Sequence, residues 1–269
     1  MGGFAFMKII RAKYQEETFY AVLEGETVFP LSGLPYGEIA RDGRSLPLAQ
    51  VKLLAPCEPS KIVAVGLNYL DHIREMNDPM PEEPVIFLKP STAVIGPEEA
   101  IVAPKRSARV DFEAELAAVI CKPCRSIAPE DADACILGYT CLNDVTARDL
   151  QPLDGQWTRA KGFDTFAPMG PWIETEFDPY NAPIESLLNG KTQQKANTGM
   201  MMRGARELVA FASSVMTLLP GDVVTLGTPR ASAPMQPGDV IEVCIGGIGT
   251  LKNTVKSGGI TQEERHVPI

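Results

Sequence analysis

Hydrophobic and polar residues alternate along this chain in short bursts closed by Gly or Pro, and long amphipathic periods are scarce. The run Val110-Asp111-Phe112-Glu113-Ala114-Glu115-Leu116 switches between apolar and acidic at every step. Period-two alternation marks a strand whose two faces meet different surroundings. It predicts Asp111, Glu113 and Glu115 on one face and Val110, Phe112, Ala114 and Leu116 on the other. Residues 117–121 are all apolar, so the strand is expected to run on into a core. Further strands are predicted over 7–11, 18–23, 62–66, 85–88 and about 138–143. Asn189-Gly190 signals a hairpin turn. Pro220-Gly221-Asp222-Val223-Val224 and Pro237-Gly238-Asp239-Val240-Ile241 echo each other as turns feeding strands. Helical spacing is best over 204–218, through Leu208, Phe211, Ala212, Val215 and Leu218. Residues 69–77 fit one or two helical turns, and 129–136 fit a short helix opened by Pro129, Glu130 and Asp131.

These elements predict a mixed, mainly β fold of the β-roll or β-sandwich kind with a few short helices. Regular strand–helix alternation is missing, and neither G-x-G-x-x-G nor G-x-x-x-x-G-K-[ST] occurs, which argues against a doubly wound fold. Pro56 and Pro59 suggest a connection between a small N-terminal segment, 1–56, and a main body, 57–269. The 269 residues are 45% hydrophobic, ample for a sizeable core. A net charge of −9 makes nucleic acid and anionic membranes poor partners. No apolar run is long enough to cross a bilayer and no signal-peptide layout opens the chain, so a cytoplasmic protein is expected. Met7 could be the natural start.

Among the six cysteines, only Cys121-Lys122-Pro123-Cys124 has metal or redox spacing, and no second pair follows. Buried, reduced thiols are expected. Of the two histidines, His266 lies in a polar tail, which leaves His72 as the plausible imidazole base.

Like charges stacked on one strand face repel unless water or a cation separates them. Asp144 follows 31 residues after Glu113, at the end of the strand that starts near Gly138. Glu113, Glu115 and Asp144 could therefore offer three carboxylates to one Mg2+ or Mn2+, with Ca2+ also admissible. The plain alternatives are the wet face of an edge strand and an Asp144 that caps a turn. His72 and Glu75 lie three apart, which on a helical turn suits a carboxylate orienting an imidazole base, or an incidental surface pair. Arg148, Gln151, Lys161 and Lys89 could neutralise a carboxylate substrate, or be ordinary surface groups.

In order along the chain stand Gly66-Leu67-Asn68-Tyr69 with His72 and Glu75, then Phe87-Leu88-Lys89-Pro90 and Asp111-Phe112-Glu113-Ala114-Glu115. Asn143-Asp144-Val145-Thr146-Ala147-Arg148-Asp149 and Lys161-Gly162-Phe163-Asp164-Thr165-Phe166 follow, then Asn189-Gly190, Pro220-Gly221-Asp222 and Gly227-Thr228-Pro229. Over about residues 60 to 255 this series resembles the fumarylacetoacetate hydrolase family, in its shorter bacterial-type branch. The resemblance implies a β-rich roll, usually a homodimer, with Mg2+ or Mn2+ held by Glu113, Glu115 and Asp144 and gripping a small α-keto acid or its enol. It implies that His72 and Glu75 form a catalytic dyad on a mobile segment, that Lys161 lies near a developing enolate, and that Arg148, Gln151 and Thr228 face substrate. The expected activity is C–C hydrolysis or decarboxylation of acylpyruvate-, fumarylpyruvate- or oxaloacetate-type acids. The alternative is isomerisation of 2-hydroxy-unsaturated dicarboxylates, as in aromatic degradation. One segment departs from the family: members often read Thr-Gly-Thr-Pro-x-Gly-Val-Gly where this chain reads Leu226-Gly227-Thr228-Pro229-Arg230-Ala231-Ser232-Ala233. Glycines are lost and Arg230 is added, which suggests a bulkier or more anionic substrate end.

Overall fold

The computed structural model describes residues 7–76 and 79–258. His266, Asn77 and the first six residues lie outside the described residues. A twelve-stranded mixed sheet forms the spine. Its path runs Leu46–Pro47, Thr27–Pro30, Glu17–Glu24, Lys8–Tyr14, Ala167–Glu174, Ile136–Asn143, Ala114–Ile120, Val223–Thr225, Lys61–Gly66 and Val85–Pro90. Val223–Thr225 and Lys61–Gly66 pair in parallel, and the other neighbours on this path are antiparallel. A five-stranded sheet runs Lys191–Asn197, Pro183–Leu188, Val240–Ile245, Gly249–Ser257 and Ala100–Ala103. A small three-stranded sheet joins Thr146–Ala147, Val110–Asp111 and Pro234–Met235. The mainly β expectation holds. The N-terminal strands belong to the same spine, because Lys8 pairs with Glu174 and Ile9 with Ile173.

Ala114–Ile120 explains its own apolar run. Leu116, Ala118 and Ile120 pack with Val63, Val65, Leu208 and Ala212 on one face. Ala117 and Val119 pack with Ile62, Leu137, Met169 and Ile173 on the other. A strand covered on both faces gains nothing from polar residues, and each large apolar side chain buried there contributes roughly 1.5–3 kcal/mol.

Among the described residues, three α-helices accompany the sheets: α1 (Leu70–Met76), α2 (Thr158–Lys161) and α3 (Ala205–Val215). The helix expected over 204–218 stops at Val215. Leu218 instead exchanges two backbone hydrogen bonds with Cys124, each 3.0 Å, which draws it into an extended bridge. The short helix expected at 129–136 is a 3-10 helix, Pro129–Cys135. All six cysteines are free thiols, five of them buried. Among the described residues, no helix is long and apolar enough to cross a membrane.

The Pro220-Gly221-Asp222 turn locks the parallel pair in place. Gly221 has φ +87°, and a Cβ there would lie 2.8 Å from the Tyr36 hydroxyl oxygen. Asp222 is fully buried and accepts from Ser60 N (3.0 Å), Ser60 Oγ (2.6 Å), Lys61 N (3.2 Å) and Leu219 N (2.9 Å). The oxygen that accepts Leu219 N, Oδ2, also takes the Lys61 ammonium. Removing this buried carboxylate takes away several partly buried hydrogen bonds and an ion pair at once, so Asp222→Ala should lower unfolding free energy by about 1–3 kcal/mol. Urea denaturation checks this; an unchanged midpoint would show that the turn holds without it.

Candidate metal and catalytic site

Glu113 and Glu115 flank the first residue of Ala114–Ile120, and Asp144 directly follows the neighbouring Ile136–Asn143. The register pairs Ala114 with Asn143 and Glu115 with Leu142. Asp144 N donates to Glu113 O at 2.9 Å, and Glu113 N donates to Asn143 Oδ1 at 2.9 Å. One carboxylate oxygen from each of Glu113, Glu115 and Asp144 falls within 4.8 Å of the others, and all three residues are buried. Asp111 lies outside this trio. The predicted strand over 110–121 breaks between Val110–Asp111 and Ala114–Ile120, where Phe112 N bonds Ala233 O at 3.2 Å. Val110 and Phe112 consequently pack in one apolar cluster and Ala114 and Leu116 in another. Asp111 turns to Arg109 (2.9 Å) and Arg148 (3.0 Å).

Three cations brace the carboxylates. Lys161, at the end of α2, places Nζ 2.6 Å from both Glu113 Oε2 and Asp144 Oδ2. Arg148 pairs with Glu113 as well as Asp111, and donates to Gln151 Oε1 at 2.7 Å. Lys89 is fully buried and bonds Asp144 and the Val145 carbonyl, the latter at 3.1 Å. Burial works against ionising Glu113, but Lys161 and Arg148 outweigh it and hold the carboxyl below its usual range. Burial also opposes protonation of Lys161, yet Asp144 and Glu113 hold its ammonium above the ordinary lysine value. For Lys89, burial wins over Asp144 and pulls the ammonium down.

Glu115 is the exception. It accepts Gly227 N at 3.1 Å, and no Lys, Arg or His pairs with it among the described residues. Burial, Asp144 and Glu113 together push its carboxyl well above the usual range. A buried carboxylate lacking a cation, inside an all-oxygen donor set, fits a hard divalent ion such as Mg2+, Mn2+ or Ca2+.

Glu113, Glu115, Asp144, Lys161, Arg148, Gln151, Thr228 and His72 all line one cavity. Lys89 and Glu75 do not. Lys89, expected on the substrate side, does not line the cavity; its ammonium is committed to Asp144 and the Val145 carbonyl. His72 Nδ1 lies 3.4 Å from Glu75 Oε2 without the alignment of a hydrogen bond, and it has no other partner among the described residues. Glu75 Oε2 instead accepts Ala231 N at 2.9 Å.

Two features escape the sequence reading. Phe87 and Trp157 form an aromatic wall, with centroids 5.2 Å apart, and Lys161 Nζ stands 5.1 Å from the Phe87 ring. Gly66 permits it, since a Cβ there would lie 2.5 Å from Trp157. Gln194 is the second: fully buried, it accepts Ala114 N at 3.0 Å and donates to Thr228 Oγ1 (2.9 Å) and Pro229 O (2.7 Å). Only strand alternation distinguishes it from the exposed Gln193 beside it, and that signal says nothing of its contacts.

Residues 61–256 match the family model described as fumarylacetoacetate (FAA) hydrolase C-terminal, and residues 7–56 match one described as Rv2993c-like, N-terminal. The crystal structure of a 2-hydroxyhepta-2,4-diene-1,7-dioate isomerase from Mycobacterium marinum is 44% identical, with TM-score 0.89, over 94% of this chain and 99% of that one. A mitochondrial oxaloacetate tautomerase of Xenopus laevis is 41% identical over 77% of this chain and 69% of its own. A maleylpyruvate hydrolase from Sphingobium sp. SYK-6, solved with manganese(II) and pyruvate, is 31% identical, with TM-score 0.78, over 94% of this chain and 100% of that one. The pairing of these matches with the carboxylate cavity leaves one assignment: the chain belongs to the fumarylacetoacetate hydrolase family of enzymes.

Proposed function

We propose that this protein is a metal-dependent enzyme that forms the enolate of a 2-keto acid and cleaves the C–C bond beyond it. The observation that carries this reading is the convergence of Glu113, Glu115 and Asp144 within 4.8 Å, in a cavity also lined by Lys161 and His72. The three carboxylates would hold Mg2+ or Mn2+, which when bound supplies Lewis-acid polarisation of the keto acid's oxygens. Lys161 is fixed by Glu113 and Asp144 so that its charge faces the oxygen where enolate charge develops. Phe87 and Trp157 exclude water from that side, which strengthens the interaction. His72 takes a proton from water as that water attacks the distal carbonyl of a β-diketo acid. The C–C bond breaks, its electron pair becomes the pyruvate enolate, and the proton returns to carbon. Decarboxylation of oxaloacetate uses the same enolate with carbon dioxide leaving and no attacking water.

A second reading is keto–enol or double-bond isomerisation, which needs proton transfer alone. The commitment of Glu75 to Ala231 N favours it, since an imidazole without an aligned carboxylate is a weaker activator of water. The named tautomerase and isomerase relatives point the same way.

Titration calorimetry should detect Mn2+ binding to the wild type, weakened at least about tenfold in Glu115→Gln and in Asp144→Asn. Equal affinity in all three proteins would remove the metal assignment. His72→Ala should keep its metal and fold while losing about 100-fold or more of the rate of pyruvate release from acylpyruvates. Mass analysis of products from acylpyruvates, oxaloacetate and hydroxymuconate-type acids separates the readings: substrate rearranged without loss of carbon favours isomerisation.

A further inference from the structure

Every cation of the inner site is already spent on protein carboxylates. Lys161 holds Glu113 and Asp144, Arg148 holds Glu113 and Asp111, and Lys89 holds Asp144. None is left to neutralise a second acidic group at the far end of a substrate.

Residues 228–232 offer a different kind of cation. Thr228 lines the cavity and is gripped by Gln194, while Ser232 Oγ lies 3.3 Å from Arg148 Nη2. Between these ends the loop reaches across to α1, where Ala231 N donates to Glu75 Oε2 at 2.9 Å. Ala231 has φ +69°, a left-handed conformation that costs a non-glycine residue about 1 kcal/mol or more. The bond to Glu75 and the Gln194 contacts to the Pro229 and Arg230 carbonyls, at 2.7 and 3.4 Å, hold the loop in that shape. The loop is therefore braced by Gln194 of the second sheet, by Arg148 and by the helix that carries His72.

At its apex sits Arg230. Its side chain is 69% exposed, and its ion-pair partner, Asp71, stands off at 4.0 Å. Asp71 is partly occupied elsewhere, since its Oδ1 accepts His72 N at 2.8 Å. Two residues, at most about 7 Å of backbone, separate Arg230 from Thr228 at the cavity wall. A guanidinium here is fixed at its base, free at its tip and shaped to take a carboxylate in a fork.

We propose that Arg230 is the specificity-determining residue for the outer end of the substrate, and that the site selects 2-keto acids bearing a second, distal carboxylate. This rests on the 2-keto acid reading above and adds the chemistry of the other end. Mono-acids with apolar tails would meet the same inner site without this contact.

The test compares two unreactive probes of equal length on the Mn2+-loaded protein, by calorimetry at low ionic strength. 2-Oxoglutarate and 2-oxopentanoate share the keto-acid end and differ only in a distal carboxylate against a methyl group. The wild type should prefer 2-oxoglutarate by about tenfold or more. Arg230→Gln should bring the two affinities together by weakening 2-oxoglutarate alone, and Arg230→Glu should reverse the order. If both probes bind and the substitution weakens both equally or neither, the Arg230 assignment fails and the keto-acid site stands. If neither probe binds the metal-loaded wild type, the keto-acid reading itself fails, and this proposal with it.

Discussion

The structure depends on keeping four carboxylates buried side by side. Asp111, Glu113, Glu115 and Asp144 are each 4% exposed or less. Two like charges 4 Å apart repel by about 4 kcal/mol even at an effective dielectric of 20, so such a group is untenable without counter-charge. The answer is a small ionic lattice in which Lys161 and Arg148 each touch two carboxylates and Lys89 reinforces Asp144. Arg109, Arg148, Lys161 and Lys89 serve Asp111, Glu113 and Asp144, and none of them pairs with Glu115. That unpaired carboxylate keeps the group from closing as a salt-bridge network, and it is what a divalent ion would satisfy. Had one of these cations reached Glu115, every carboxylate would be paired and the driving force for metal would fall.

The fold is the means of bringing these charges together from distant parts of the chain. Adjacent antiparallel strands deliver the three acids: one is interrupted at Phe112 and the other ends at Asn143. Lys89 arrives on the far edge strand, and Lys161 on a helix of four residues. Gln194 comes from the second sheet, and its single carboxamide bonds both the backbone between Glu113 and Glu115 and the loop that begins at Thr228. The two sheets thus meet at the site through a polar bridge as well as through apolar packing.

Much of this was legible in the sequence, and what was not has definite causes. Period-two alternation located the acidic strand, and the apolar run after it announced a strand that enters a core; that both of its faces are covered emerges only from the fold. Alternation also placed Asp111 on one continuous strand face with Glu113 and Glu115, but a long-range bond from Phe112 to Ala233 interrupts the strand, and Asp111 is joined to Glu113 only through Arg148. The 204–218 helix was overextended because helical spacing continues to Leu218, while the pairing that removes it comes from Cys124, far away in the chain. Lys89 read as a substrate-side group because charge can be read from sequence and burial direction cannot. Trp157 and Gln194 were invisible for the same reason. Their roles are set by what they touch, and neither stands in a spacing that any local pattern marks.

The inner and outer parts of the site answer to different physics. Inside, each charged group is needed to make its neighbours bearable, so a residue such as Lys89, which lines no part of the cavity, is as constrained as one that does. Losing one partner of a buried ion pair costs about 3–5 kcal/mol, so substitution there threatens the fold before it touches the chemistry. At the rim, Arg230 is exposed and its nearest acid lies at the limit of ion-pair distance, so an exchange there costs the fold little. A site built this way can hold its bond-making chemistry still while the loop over it is altered. Selectivity then belongs to the part of the structure that stability constrains least.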